Sequence, residues 1–117
     1  MRKRFLICSA QGFGDLVWQP LADIYRIRKG WLVKLDLAGI RLEDIEIKTK
    51  GNCLTIEGIR RGVQEEESTN YYAMEISYNR FRKSIELPVQ LEEAEIKLDY
   101  RDGMLLIRIE REVNNNG

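Results

Sequence analysis

Apolar and polar residues alternate along most of this chain with the period of a β-strand, not that of a helix. The clearest stretch runs from Phe81 to Ile109, where Phe81, Ile85 and Leu87, then Ile96 and Leu98, then Leu105, Ile107 and Ile109 fall on alternate positions. Pro88 has no amide hydrogen for a ladder and closes the first of these runs. Asp102-Gly103 supplies the positive φ that a tight hairpin needs. Upstream, Trp31, Val33, Leu35 and Leu37 alternate to one side until Ala38-Gly39, and a second clean alternation covers Asp44 to Thr49. Gly51-Asn52 then reads as a hairpin link into Cys53–Gly58, with Leu54 and Ile56 facing one way and Thr55 and Glu57 the other. Asp23–Arg26 reads as a short strand, Tyr71–Glu75 recovers some strand character, and Tyr78–Leu87 reads as a long strand. Leu91–Ala94 suits one helical turn, and other helix signals are absent. About eight short strands at roughly ten-residue spacing predict an all-β, two-sheet sandwich.

Both ends fall outside that pattern. Residues 1–17 carry a basic tip, a short apolar patch and Gly12-Phe13-Gly14, and read as a short mobile N-terminal arm. Residues 18–111 form the sandwich, and 112–117 read as a disordered polar tail. Arg2-Lys3-Arg4 before Phe5-Leu6-Ile7-Cys8 resembles the start of a secretory signal, but that apolar run is too short and no cleavage pattern follows. No segment approaches membrane-spanning length. A cytoplasmic location and no membrane partner are expected.

Length and composition narrow the chemistry. A chain of 117 residues is one domain. Lys+Arg and Asp+Glu both number 19, which leaves no electrostatic footprint for a phosphate backbone and argues against a nucleic-acid partner. The absence of histidine excludes Ser-His-Asp and Cys-His catalysis and most zinc sites. Cys8 and Cys53 have no metal-ligand spacing. Cys53 reads as a small buried hydrophobe in a strand, and a Cys8–Cys53 disulfide stays open at this level. Glu65-Glu66-Glu67 and Asp99 with Asp102 read as solvated acidic loops. No catalytic residue, metal or cofactor is expected.

The order of the pieces adds a family resemblance. Phe81 through Leu87-Pro88, followed by Asp102-Gly103-Met104-Leu105, resembles the F-x-R-x-x-x-L-P and G-V-L signatures of the small heat-shock proteins, the α-crystallin-domain family. Trp18-Gln19-Pro20 and Asp23-Ile24-Tyr25 are similar to the W-x-P and D-I-Y entry of bacterial and plant members. Leu35–Ile40 resembles the D-L-P-G-V corner, Gly51–Gly58 the G-N-x-L-x-I-x-G hairpin, and Tyr72 with Glu75 the tyrosine–glutamate approach to a later strand. The resemblance covers about Trp18 to Arg111.

That resemblance implies an immunoglobulin-like β-sandwich that dimerises and holds unfolding client proteins without ATP. In bacterial and plant members an excursion carries an extra strand that pairs with the partner's second strand. The matching excursion here is Arg61–Met74, with Tyr71 and Tyr72 as donor, Asp23, Ile24 and Tyr25 as acceptor edge, and Lys83 in place of an intersubunit arginine. An ordinary surface loop is the alternative. Ile45, Ile47, Ile96 and Leu98 match the family's hydrophobic groove, and equally suit ordinary core. The apolar arm residues Phe5, Leu6, Ile7, Phe13 and Trp18 are further candidates for client contact.

The chain also departs from the family. No I-x-I motif follows Arg111, Leu98 stands where a small residue is usual, and Ala38 replaces a proline. Lys83 keeps the charge of an arginine but loses its bidentate fork. Asn79 replaces a usual glycine and tolerates left-handed backbone better than most residues. These departures point to a homodimer or small oligomer. The expected function is an ATP-independent holdase, and the alternative is a CS-type co-chaperone docking one folded partner.

Overall fold

A strand that alternates apolar and polar side chains must bury one face, and strands of this length do so by stacking sheets. The computed structural model describes residues 17–62 and 70–111. Their strands are β1 (Ala22–Ile27), β2 (Gly30–Asp36), β3 (Ile45–Lys50), β4 (Cys53–Arg60), β5 (Asn79–Glu86), β6 (Glu95–Arg101) and β7 (Met104–Glu110). One sheet has the order β1-β2-β7-β6 and the other β3-β4-β5, and every pairing between strands is antiparallel. The two-sheet sandwich expected from the alternation is therefore present.

Between the sheets lies a core of Val33, Leu35 and Leu37, of Leu54 and Ile56, of Phe81, Ile85 and Leu87, and of Leu105, Ile107 and Ile109. These are the residues whose two-residue spacing marked them in the sequence. No polar or charged residue is buried among the described residues. Tyr100 is half-buried, and its hydroxyl donates to the Leu37 carbonyl at 2.7 Å, satisfying the polar tip of an otherwise apolar side chain.

The turns follow their residues. Asp102 and Gly103 have φ of 54° and 77°, the positive pair expected of the β6–β7 hairpin. Asn79 has φ 72°, so asparagine does hold left-handed backbone where a glycine is usual. Residues 91–93 form a single 3-10 turn, as the apolar–acidic spacing suggested. The peptide of Gly51 ties this turn to the β3–β4 hairpin, accepting from the Leu91 amide at 2.9 Å and donating to Glu92 Oε2 at 3.2 Å.

Seven strands are present among the described residues, in keeping with the eight or so expected. Two expectations need correction. Tyr71–Glu75 forms no strand: residues 70–78 carry none, and Tyr71 and Tyr72 are exposed. A strand needs a neighbouring edge to take its amides and carbonyls, and no described strand pairs with this segment. Cys53 is half-buried in β4, with its Sγ 3.9 Å from Asn52 Oδ1, and so is not the fully buried hydrophobe expected.

The outer face of the smaller sheet is held by charge. Glu57 accepts from Lys48 at 2.7 Å and from Arg82 at 3.3 Å, joining β3, β4 and β5. Arg61 grips Asp44 with both arms of its guanidinium, at 3.0 and 3.1 Å. The Arg61 hydrogen bond lowers the Asp44 pKa, and the Lys48 bond, followed by Arg82, lowers that of Glu57. A carboxylate depressed in the folded state adds stability above its unfolded pKa and loses it as pH falls through the folded value.

Urea unfolding followed from neutral pH to about pH 3, below the ordinary carboxylate range, should therefore show stability falling with acid. Lys48→Ala and Arg61→Ala should each flatten that fall, and an unchanged slope would remove both carboxylates from the balance. A second outcome concerns Gly58, where an added Cβ would overlap the Asp44 carbonyl oxygen and meet the Phe81 ring. Gly58→Ala should cost about 1–3 kcal/mol by chemical denaturation, the usual penalty of overpacking.

Candidate functional site

The two sheets stack without closing, so the sandwich has two open ends. At one end lie β3 and β6, the outermost strands of their sheets. The contact of the β3–β4 turn with the 3-10 turn leading into β6 places them together. Ile96 and Leu98 stand opposite Ile109 and Ile107, both fully buried, and so share their inward face. Ile47 likewise stands opposite the buried Ile56. Ile45, Ile47 and Ile96 are half-buried and packed against the core, whereas Leu98 is 50% exposed. The structure thus brings the four groove candidates to one end. Three of them serve partly as core, and Leu98 forms the uncovered lip.

The opposite end is built by β1 and β5. Ala22 packs against the core, and by alternation Ile24 shares its inward face, opposite the fully buried Val33. Ile24 is nevertheless 45% exposed, because the three-stranded sheet does not extend beneath it. Lys83 tells the same story from β5. It shares the face of Phe81 and Ile85, stands opposite the buried Ile56, and is only half-buried. A lysine on an inward face is tolerated where its ammonium reaches water along an open rim. Lys83 has no ion-pair partner among the described residues. The free edge of β1 carries Asp23 and Tyr25 on its outer face. Their side chains meet at 3.4 Å, and the Lys34 ammonium sits 5.6 Å from the Tyr25 ring centroid.

Trp18 stands apart from the other arm candidates. Its ring lies 5.3 Å from that of Phe81, its indole Nε1 donates to the Asn79 carbonyl at 3.2 Å, and its backbone bridges Arg80 and Arg82. It is half-buried at the edge of β5 and belongs to the sandwich. Phe5, Leu6, Ile7 and Phe13 lie outside the described residues, as do Glu65–Glu67. Tyr71, Tyr72, Met74 and Ile76 are all more than half exposed, an apolar sequence that the described residues leave largely uncovered.

The chemistry of these surfaces is that of contact. A concavity on the outer face of the smaller sheet is lined by Glu43, Glu46, Arg80 and the ion-paired Asp44, Lys48, Glu57 and Arg82. Its strongest charges are already spent on one another. Among the described residues no group of three or more cysteine, aspartate or glutamate side chains is placed to hold a metal ion. No helix there is long and apolar enough to cross a membrane. Sequence reasoning missed Arg60, whose guanidinium reaches three separate segments. Its position at the end of a strand, beside a polar excursion, carries no one-dimensional signal of that role.

Comparison with known proteins agrees with this architecture. The model of the Hsp20/alpha crystallin family matches residues 23–117. Small heat shock protein C2 of Rickettsia felis is 33% identical over 90 residues, covering 77% of this chain and 58% of that protein. Small heat shock protein C4 of the same organism is 29% identical over 97 residues, covering 83% and 60% respectively. The chain thus spans about three-fifths of the length of these relatives. Among solved structures, hspA from Xanthomonas axonopodis superposes with a TM-score of 0.68 at 28% identity, covering 82% of this chain and 96% of that one. A small heat-shock protein from Xylella fastidiosa gives 0.70 at 25% identity, covering 87% and 94%. Small heat-shock proteins are non-enzymatic chaperones. With the family match running from β1 through the last strand, and the same sandwich found in those structures, the chain belongs to the Hsp20/alpha crystallin family.

Proposed function

We propose that this protein is an ATP-independent holdase that binds partly unfolded proteins through uncovered apolar surface and keeps them from aggregating. The observation that carries the reading is the pair of open ends, each with inward-facing apolar side chains that the described residues leave wet. Leu98 is half exposed at one end and Ile24 nearly so at the other. Removing such surface from water gains about 25 cal/mol per Å² whatever the sequence that covers it. Contacts of that kind are strong in sum and weak in discrimination, which suits clients that share only exposed hydrophobic segments. Phe5, Leu6, Ile7 and Phe13 add candidate contact surface from the N-terminal arm.

We further infer a homodimer in which the Tyr71–Tyr72 segment of one copy adds to the β1 edge of the other. Edge addition uses main-chain hydrogen bonds for affinity and alternate side chains for fit. The exposed Tyr71 and Tyr72, the unpaired outer edge of β1 and the half-exposed Ile24 beside it support this arrangement. Lys83 lies on the same open rim and is placed to meet a partner's carboxylate. An ammonium there makes a less directional pair than a guanidinium fork.

Two outcomes test these readings. Mixed at several-fold molar excess with an enzyme unfolding on heating, the protein should hold light scattering near its starting level without nucleotide. Leu98→Asp should weaken that suppression several-fold if the β3–β6 end carries clients, and full aggregation with the wild-type chain would refute the holdase. Light scattering coupled to size-exclusion chromatography should give a dimer or small oligomer, and Tyr72→Pro, which cannot donate to a ladder, should shift it toward monomer. A wild-type monomer at micromolar concentration would return residues 61–74 to the status of a surface loop.

A further inference from the structure

Arg60 is anchored at three points among the described residues, and the open ends do not use it. As the last residue of β4 it stands in register with Asn79, the first of β5. It therefore marks the point where the excursion leaves the smaller sheet and returns. Its Nε donates to the Ala38 carbonyl at 3.0 Å and its Nη1 to the Ser77 carbonyl at 2.8 Å. Its guanidinium carbon lies 4.5 Å from the Trp18 ring centroid. One planar cation thus joins the segment ahead of β1, the corner after β2 and the returning limb of the excursion.

The surroundings give that clasp a direction. Trp18 holds the Asn79 carbonyl through its indole and bridges β5 through its backbone, so the far side of the root is pinned as well. Leu21, immediately ahead of β1, and Ile76, on the returning limb, line one hollow with Trp18, Arg60 and Ser77. Leu21 and Ile76 are 77% and 63% exposed. The root of the proposed donor segment and the root of the proposed acceptor strand therefore lie side by side, with Arg60 between them.

We propose that Arg60 is a positioning residue for strand exchange between two copies of this chain. By fixing the Ser77 carbonyl against the Ala38 corner and the Trp18 ring, it sets the direction in which residues 70–76 leave the sandwich toward the β1 edge of a second copy. The inference rests on the strand-exchange reading above and adds to it the residue that orders the donor before it meets its partner. Segments held in the binding geometry lose less entropy on association. Lysine cannot substitute, because a compact ammonium does not offer two fixed donors and a flat face to one ring at the same time.

The test compares the full-length chain with Arg60→Lys and Arg60→Met by sedimentation equilibrium, urea unfolding and amide hydrogen exchange. Both variants should raise the dimer dissociation constant about tenfold or more, roughly 1.4 kcal/mol. They should leave the sandwich's unfolding midpoint nearly in place and speed exchange at the amides of Tyr72–Tyr78. If Arg60→Met fails to fold, Arg60→Lys carries the test alone. A dissociation constant within twofold of wild type in a folded variant would overturn the assignment to Arg60. So would a weaker dimer accompanied by an equal loss of protection throughout β2, β4 and β7, since that is a purely structural role. A wild-type chain that sediments as a monomer would instead sink the exchange reading, and the role of Arg60 in assembly with it.

Discussion

Two sheets of unequal width, packed face to face with no ladder between them among the described residues, set everything else about this molecule. Four strands over three leave β1 without a counterpart beneath it, and β3 and β6 part without a ladder between them. Closure into a barrel would have removed every edge. Here the same alternation that fills the centre with Val33, Leu54, Ile56 and Ile107 continues outward to Ile24 and Leu98, which the described residues leave about half exposed. The apolar inward face is simply longer than the core it can build.

That surplus explains why charge and polarity are placed as they are. Outer faces are laced by Lys48–Glu57–Arg82 across three strands, and no polar side chain is buried among the described residues. Among the described residues the one inward-facing lysine, Lys83, is half-buried and stands toward the open β1–β5 rim. Arg60 and Trp18 close the root of the excursion, so the long connection between β4 and β5 departs from a fixed base and not from a frayed strand end. Rigid centre, open rims and a braced excursion are one design read at three places.

Much of this was legible in the residues because period-two alternation is a local signal. Leu35, Ile56, Phe81 and Leu105 announced their burial by spacing, and Asp102-Gly103 announced its turn by the backbone angles it alone favours there. The four groove candidates could be grouped from the sequence, but their division into half-buried Ile45, Ile47 and Ile96 and half-exposed Leu98 could not. That division depends on which strand ends a sheet, a property of the assembled fold. Tyr71–Glu75 carries strand-forming side chains yet forms no strand, because pairing requires an edge that one copy does not place beside it. The reach of Arg60 to Ala38, Ser77 and Trp18 was invisible for the same reason, since its partners come from three distant stretches of sequence.

The account stands or falls on whether a second copy supplies the strand that β1 lacks. A chain grown with heavy nitrogen, carrying Asp23→Cys and Cys53→Ser, can be mixed with light chain carrying Tyr72→Cys and Cys53→Ser, with Cys8→Ser in both. Oxidation followed by mass spectrometry then reads which chains are joined. Mixed heavy–light peptides linking position 23 to position 72 are the predicted product. No such mixed link, with the two positions reacting only with small thiols, would contradict it.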